Sequence, residues 1–275
     1  MQSGVLFYIV FGCYLAALGL ELVGLKRRFA GRRLALVLLT FAGLIAHSIY
    51  LTGHGASQGA LPLASPAKWL LVFAWVLAVT YLAATLYLPH AATGVLILPL
   101  VLALTALSCG ASHVPFAPER TFMFWGLAHG TMLLLGTVTV CVGFLAGLTY
   151  LLQSYALKHA KSPLGGLSLP SLEWLERINS RALGISTLLV AFGCASGLAM
   201  STLKHRGDAI ATLWTDPTVV SSSAMLLWLV AAEIFRLVYP AARRGRKVAY
   251  LTLASFIFVV ITVLSLMFLD SGHGM

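Results

Sequence analysis

The side chains of this sequence best suited to chemistry are its histidines, eight in all. His129 lies in Phe124-Trp125-Gly126-Leu127-Ala128-His129-Gly130, within a long apolar run, and His47 lies in Ile45-Ala46-His47-Ser48 among similar neighbours. An ionisable side chain inside a membrane is costly and is usually paired or functional. Neutral imidazole is a standard ligand of haem iron, so axial ligation is one role open to His129 and His47. The plainer alternative is a ring hydrogen-bonded to a neighbouring helix. His273, in Asp270-Ser271-Gly272-His273, reads most simply as a solvated tail residue.

Leu213-Trp214-Thr215-Asp216-Pro217 opens an apolar run. Asp216 is placed to cap a helix whose first residue is Pro217. Trp214 suits an interfacial aromatic belt. An indole there could equally stack on a porphyrin, with Arg120, Lys204 or Arg206 pairing to propionates; lipid headgroups are the other partners open to these cations. Glu233 and Arg236, three apart, form a local ion pair, and Glu21 lies close to Lys26. The four cysteines, Cys13, Cys109, Cys141 and Cys194, are isolated. Without a CxxC pair, neither a zinc ribbon nor a thiol-disulfide site is indicated, and without CxxCH no covalent haem is carried. Nothing resembles a P-loop, a Ser-His-Asp arrangement or an HExxH metal site.

The elements that must position these residues are membrane spans. The chain is 60% hydrophobic and only 9% charged, against about a quarter charged in soluble domains. Such a chain needs the bilayer as its solvent. Eight apolar segments are read as helices, at about 5–24, 34–52, 68–88, 91–109, 121–153, 180–203, 217–239 and 247–269. The fifth exceeds one crossing and should project into the aqueous phase. The whole of 1–275 reads as a single polytopic membrane domain. The fold class expected is therefore an all-α integral membrane protein, a bundle of about eight transmembrane helices.

Orientation follows from the cations. Fourteen of the eighteen lysines and arginines fall in the loops after helices 1, 3, 5 and 7. The positive-inside rule makes those loops cytoplasmic and puts both termini on the non-cytoplasmic side. The net charge of +10 then reflects topology rather than nucleic-acid binding. Six of the eight histidines fall in the outer half, leaving His90 and His159 inside.

Several stretches resemble the cytochrome c assembly superfamily of CcsA, CcmC and HemX-type membrane proteins, most closely its HemX-type and YpjD-type members. His129 and the helix running to Tyr150-Leu151-Leu152-Gln153 are similar to the family's histidine helix. Leu172-Glu173-Trp174-Leu175 to Arg181 resembles the cytoplasmic stretch before the next span. Trp214-Thr215-Asp216-Pro217 resembles a remnant of the tryptophan-rich "WWD" motif. Gly245-Arg246-Lys247, the last helix and Ser271-Gly272-His273 are similar to the family's end, and His47 matches a histidine of YpjD-type members.

The resemblance implies non-covalent haem b, with His129 and His273 as candidate iron ligands and Trp214 and Asp216 marking the platform. The motif keeps one tryptophan where synthases have several. Ile234 or Phe235 stands where a synthase carries an intramembrane histidine. The expected function is thus a haem-associated protein assisting c-type cytochrome biogenesis or haem supply, not an enzyme. Its implied partners are membrane lipid, haem, and other cytochrome c biogenesis proteins or a haem-biosynthesis enzyme, in a bacterial inner (plasma) membrane. The alternative is a regulatory HemX-type membrane protein that binds no haem. Helices 2, 5, 7 and 8 would gather His47, His129, Trp214 and His273 at one outer cavity.

Overall fold

The computed structural model describes residues 2–26, 31–56, 65–88, 93–114, 123–159, 170–204, 216–239 and 245–268. Among them are eight helices and no strand: α1 Gln2–Lys26, α2 Arg32–Ala56, α3 Pro66–Tyr87, α4 Gly94–Leu107, α5 Met123–Lys158, α6 Leu172–Lys204, α7 Pro217–Val238 and α8 Arg246–Phe268. Seven are long and apolar enough to cross a bilayer, so the chain is a multi-pass helical membrane protein. The exception is α4. The fourth expected span, 91–109, shortens to 14 residues, a rise of about 21 Å against the roughly 30 Å hydrocarbon core. It ends in the Ser108-Cys109-Gly110 turn, where the backbone bonds tighten to residues three back.

Local sequence explains the boundaries. Ser65 caps α3 by accepting from Lys68 N at 3.3 Å, with Pro66 as the first helical residue. Asp216 caps α7 through Oδ1, which accepts from Thr218 N at 2.8 Å and Val219 N at 3.4 Å, with Pro217 first. Gly31 and Gly245 lead into α2 and α8 at φ +84° and +73°, left-handed backbone that glycine adopts without penalty. α5 runs 36 residues, about 54 Å, so it outreaches one crossing as its sequence suggested. α6 starts at Leu172 rather than near residue 180, which makes the expected cytoplasmic loop 172–179 its first two turns. Glu173 and Arg177 pair at 2.7 Å on the exposed face while Leu175 is buried, so this segment is amphipathic.

The chain divides into two compact units, Met1–His113 with Leu152–Ser171, and Val114–Leu151 with Leu172–Met275. In unit 1, α1 to α4 form a ring in which each helix touches its chain neighbours and α4 closes onto α1. Its core is lined by Val10, Tyr14, Ala17 and Glu21 of α1 and by Leu70, Phe73, Leu77 and Tyr81 of α3. In unit 2, α7 packs on α6 and α8. Phe144 of α5 stacks on Phe256 of α8 with centroids 4.0 Å apart. Trp228 of α7 donates through Nε1 to Ser255 of α8 at 3.1 Å.

Candidate functional site

His129 stands near the start of α5, opposite two glycines of α6. Its Nδ1 lies 2.7 Å from the Gly193 carbonyl oxygen, which also accepts from Ser196 Oγ at 2.8 Å. A carbonyl cannot donate, so the neutral ring carries its proton on Nδ1 and its lone pair on Nε2. The half-buried ring fits against Gly197, where a Cβ would come within 2.7 Å of both Nδ1 and Cε1. One turn on, Leu133 fills the hole at Gly193, where a Cβ would lie 2.6 Å from Leu133 Cδ2. Gly136 in turn receives Val190, and a Cβ there would sit 3.2 Å from the Val190 backbone nitrogen. Small residues let membrane helices approach closely, and here that approach brings a backbone carbonyl to the imidazole.

The opposite end of unit 2 is polar and well paired. Arg236 Nη1 meets Glu233 Oε1 at 2.7 Å, the ion pair expected from sequence, and the same guanidinium donates to the Ser180 carbonyl at 3.3 Å and to its hydroxyl. Asn179 is buried. Oriented to match its neighbours, its amide donates to Gly143 O at 3.2 Å and Thr252 Oγ1 at 2.9 Å, and accepts from Ala249 N at 3.3 Å. That one side chain links α5, α6 and the first two turns of α8.

His47 is fully buried in unit 1, with Nδ1 3.3 Å from the Tyr14 hydroxyl, while Nε2 is enclosed without a partner. Asp216 is buried at the cap already described. His273, Trp214, Arg120 and Arg206 lie outside the described residues, as does the side chain of Lys204, the last residue of α6. The gathering of His47, His129, Trp214 and His273 at one cavity therefore concerns residues that are in part not described, and His47 and His129 belong to different units. No group of three or more histidine, cysteine or carboxylate side chains that could hold a metal occurs among the described residues.

Two clusters in unit 1 have no counterpart in the sequence reading. Glu21 finds partners far from it in sequence, while the side chain of Lys26 lies outside the described residues. Its carboxylate is paired by the Arg32 guanidinium and accepts from the Tyr81 hydroxyl at 2.9 Å, so α1, α2 and α3 meet at one buried acid. Gly94 opens α4 over it, where a Cβ would be 2.5 Å from Glu21 Oε1. At the other end of the unit, Phe7, Tyr8, Tyr50, Ser108, Cys109 and His113 line a cavity of about 270 Å³.

Seven membrane-length helices and this set of polar contacts define the class, a multi-pass helical membrane protein. No family model, curated protein or solved structure matches the chain.

Proposed function

We propose that the protein holds non-covalent haem b at the end of unit 2 where α5 begins, in support of c-type cytochrome biogenesis or haem supply, with His129 as an iron ligand. The observation that carries this reading is the 2.7 Å contact between His129 Nδ1 and the Gly193 carbonyl. Ligating histidines generally give the other ring N–H to a carbonyl or carboxylate, which fixes the tautomer and raises ligand basicity. The α6 groove serves both ends: the Gly193 carbonyl accepts the Nδ1–H hydrogen bond and Gly197 leaves room for the ring. When bound, haem would supply the iron and its redox chemistry.

The resemblance to the cytochrome c assembly superfamily adds His273 as a second ligand, Trp214 as a stacking partner, and Arg120, Lys204 and Arg206 for the propionates. On the positive-inside orientation this end of unit 2 faces away from the cytoplasm, in a bacterial inner membrane. Helix-capping already accounts for Asp216, so its place in the platform rests on the resemblance. Partner proteins of the assembly apparatus, or a haem-biosynthesis enzyme, follow from that resemblance too.

Haem titration of the purified protein tests the proposal. The wild type should give a sharp low-spin Soret band, and replacing either His129 or His273 with Ala should shift it towards high spin. His159→Ala should change nothing. A protein that stays colourless through the titration would support the regulatory alternative instead.

A further inference from the structure

The cavity at one end of unit 1 is built on different elements from the His129 site and carries a different chemistry. It forms where α1 starts and α2 ends, against the turn that follows α4. Three aromatic rings shape it. Phe7 meets Tyr50 at 5.9 Å and 57°, and meets Tyr8 edge-on at 6.2 Å and 79°. Its volume, about 270 Å³, falls just under the ~300–1,000 Å³ typical of sites for drug-sized ligands, so it suits one or two fused rings rather than a macrocycle.

The polar groups narrow the ligand further. Among the described residues the lining holds two phenols, an imidazole, a thiol and a serine, and no Lys, Arg, Asp or Glu. These described groups suit a neutral ligand better than a charged one. The Ser108 hydroxyl donates to Thr105 O at 2.7 Å, which leaves its oxygen to accept. Phenol and imidazole can each donate or accept. A flat, neutral ring with oxygens on opposite sides needs that versatility when it alternates between carbonyl and hydroxyl forms.

Directly inward lies the orphaned imidazole. His47 is three residues before Tyr50 on α2, and Tyr14 is seven after Phe7 on α1, so both pairs share the same helix faces. His47 Nε2 is enclosed without a hydrogen-bond partner, and a buried polar atom in that state calls for a ligand, water or ion nearby. Tyr14 and His47 meet with centroids 6.0 Å apart, below the Phe7–Tyr50 contact. We propose that this cavity in unit 1 binds the headgroup of a lipid-soluble quinone, its ring against Phe7, Tyr8 and Tyr50 and its oxygens on His113 and Ser108. The chain's membrane-spanning helices put such a ligand within reach from the bilayer. Nothing in the assignment depends on haem.

Cys109 provides the assay, because it is the one exposed cysteine of the four and it lines the cavity. The full-length protein in lipid nanodiscs is labelled with a maleimide, and modification at each cysteine is followed by mass mapping. The probes are decylubiquinone and a fully ring-substituted naphthoquinone of equal tail length, neither of which has a free ring position for the thiol to attack. Decanol is the tail-only control. At ten times its dissociation constant a bound quinone should slow Cys109 labelling about tenfold, since about a tenth of the sites stay open. Protection by either quinone, saturable and weakened by His113→Ala or Phe7→Leu, supports the site, and the better probe identifies the ring. No protection by either quinone, or equal protection by decanol, overturns it.

Discussion

Replacing Glu21 with Gln probes the packing of unit 1 at its most constrained point. The Glu21 side chain is 2% exposed and that of its Arg32 partner 16%. Glutamine can still accept from Tyr81, but the guanidinium loses its counter-charge, and Arg32 Nε is already enclosed without a partner. Removing one member of a buried pair costs about 3–5 kcal/mol, and the partial exposure of Arg32 places this case near the lower figure, about 3 kcal/mol. Tyr81→Phe deletes one hydrogen bond to a charged acceptor, about 1.5–3 kcal/mol. Converting both ends to apolar residues of similar size, Glu21→Leu with Arg32→Met, should restore most of the loss, because desolvation of the pair vanishes with it. Unfolding in mixed micelles, followed by tryptophan fluorescence, of the wild type, Glu21→Leu, Arg32→Met and the double variant gives the four stabilities of the double-mutant cycle for Glu21 and Arg32. A coupling of about 2 kcal/mol or more is expected, whereas a value below about 0.5 kcal/mol would mean that the two residues act independently and would refute the reasoning.

Other substitutions test other joints. Asp216→Ala should cost about 1 kcal/mol through loss of the α7 cap, while Asp216→Asn stays near wild type in the same unfolding assay. Gly136→Leu should abolish stable expression, since its side chain would meet the Val190 backbone; Gly126→Ala, whose nearest neighbour is Met200 Sδ at 3.8 Å, should be silent by thermal melt. A reporter active only outside the cytoplasm should give signal when fused to the C-terminus and none when fused after Arg33; the reverse pattern would invert the orientation.

Local chemistry was the legible part of this fold. Asp216-Pro217 announces the start of α7, and the long apolar run around His129 announces an overlength α5, because capping and hydropathy act over a few neighbouring residues. The start of α6 was misplaced because Glu173, Glu176 and Arg177 look like loop residues when counted by charge, although Leu175 and Asn179 on the opposite face are buried. The end of α4 came early because a three-residue turn interrupts an otherwise continuous apolar stretch. Partners distant in sequence stayed hidden. Tyr81 is sixty residues from the acid it binds, and no periodicity links them. The sequence offered His129 but not the carbonyl opposite, although Gly193 and Gly197, four apart on one helix, carry the small-residue spacing of a close helix contact.

Ligand replacement tests the central proposal most directly. His129→Gly removes the imidazole and leaves the Gly193 carbonyl and the Gly197 surface in place. The purified variant is titrated with haem, first alone and then with free imidazole, and its absorption spectrum is compared with that of the wild type. A variant that holds haem poorly or in a high-spin state, and regains the wild-type low-spin Soret band as imidazole is added, is the predicted result. A variant whose spectrum already matches the wild type without imidazole would contradict His129 as a ligand.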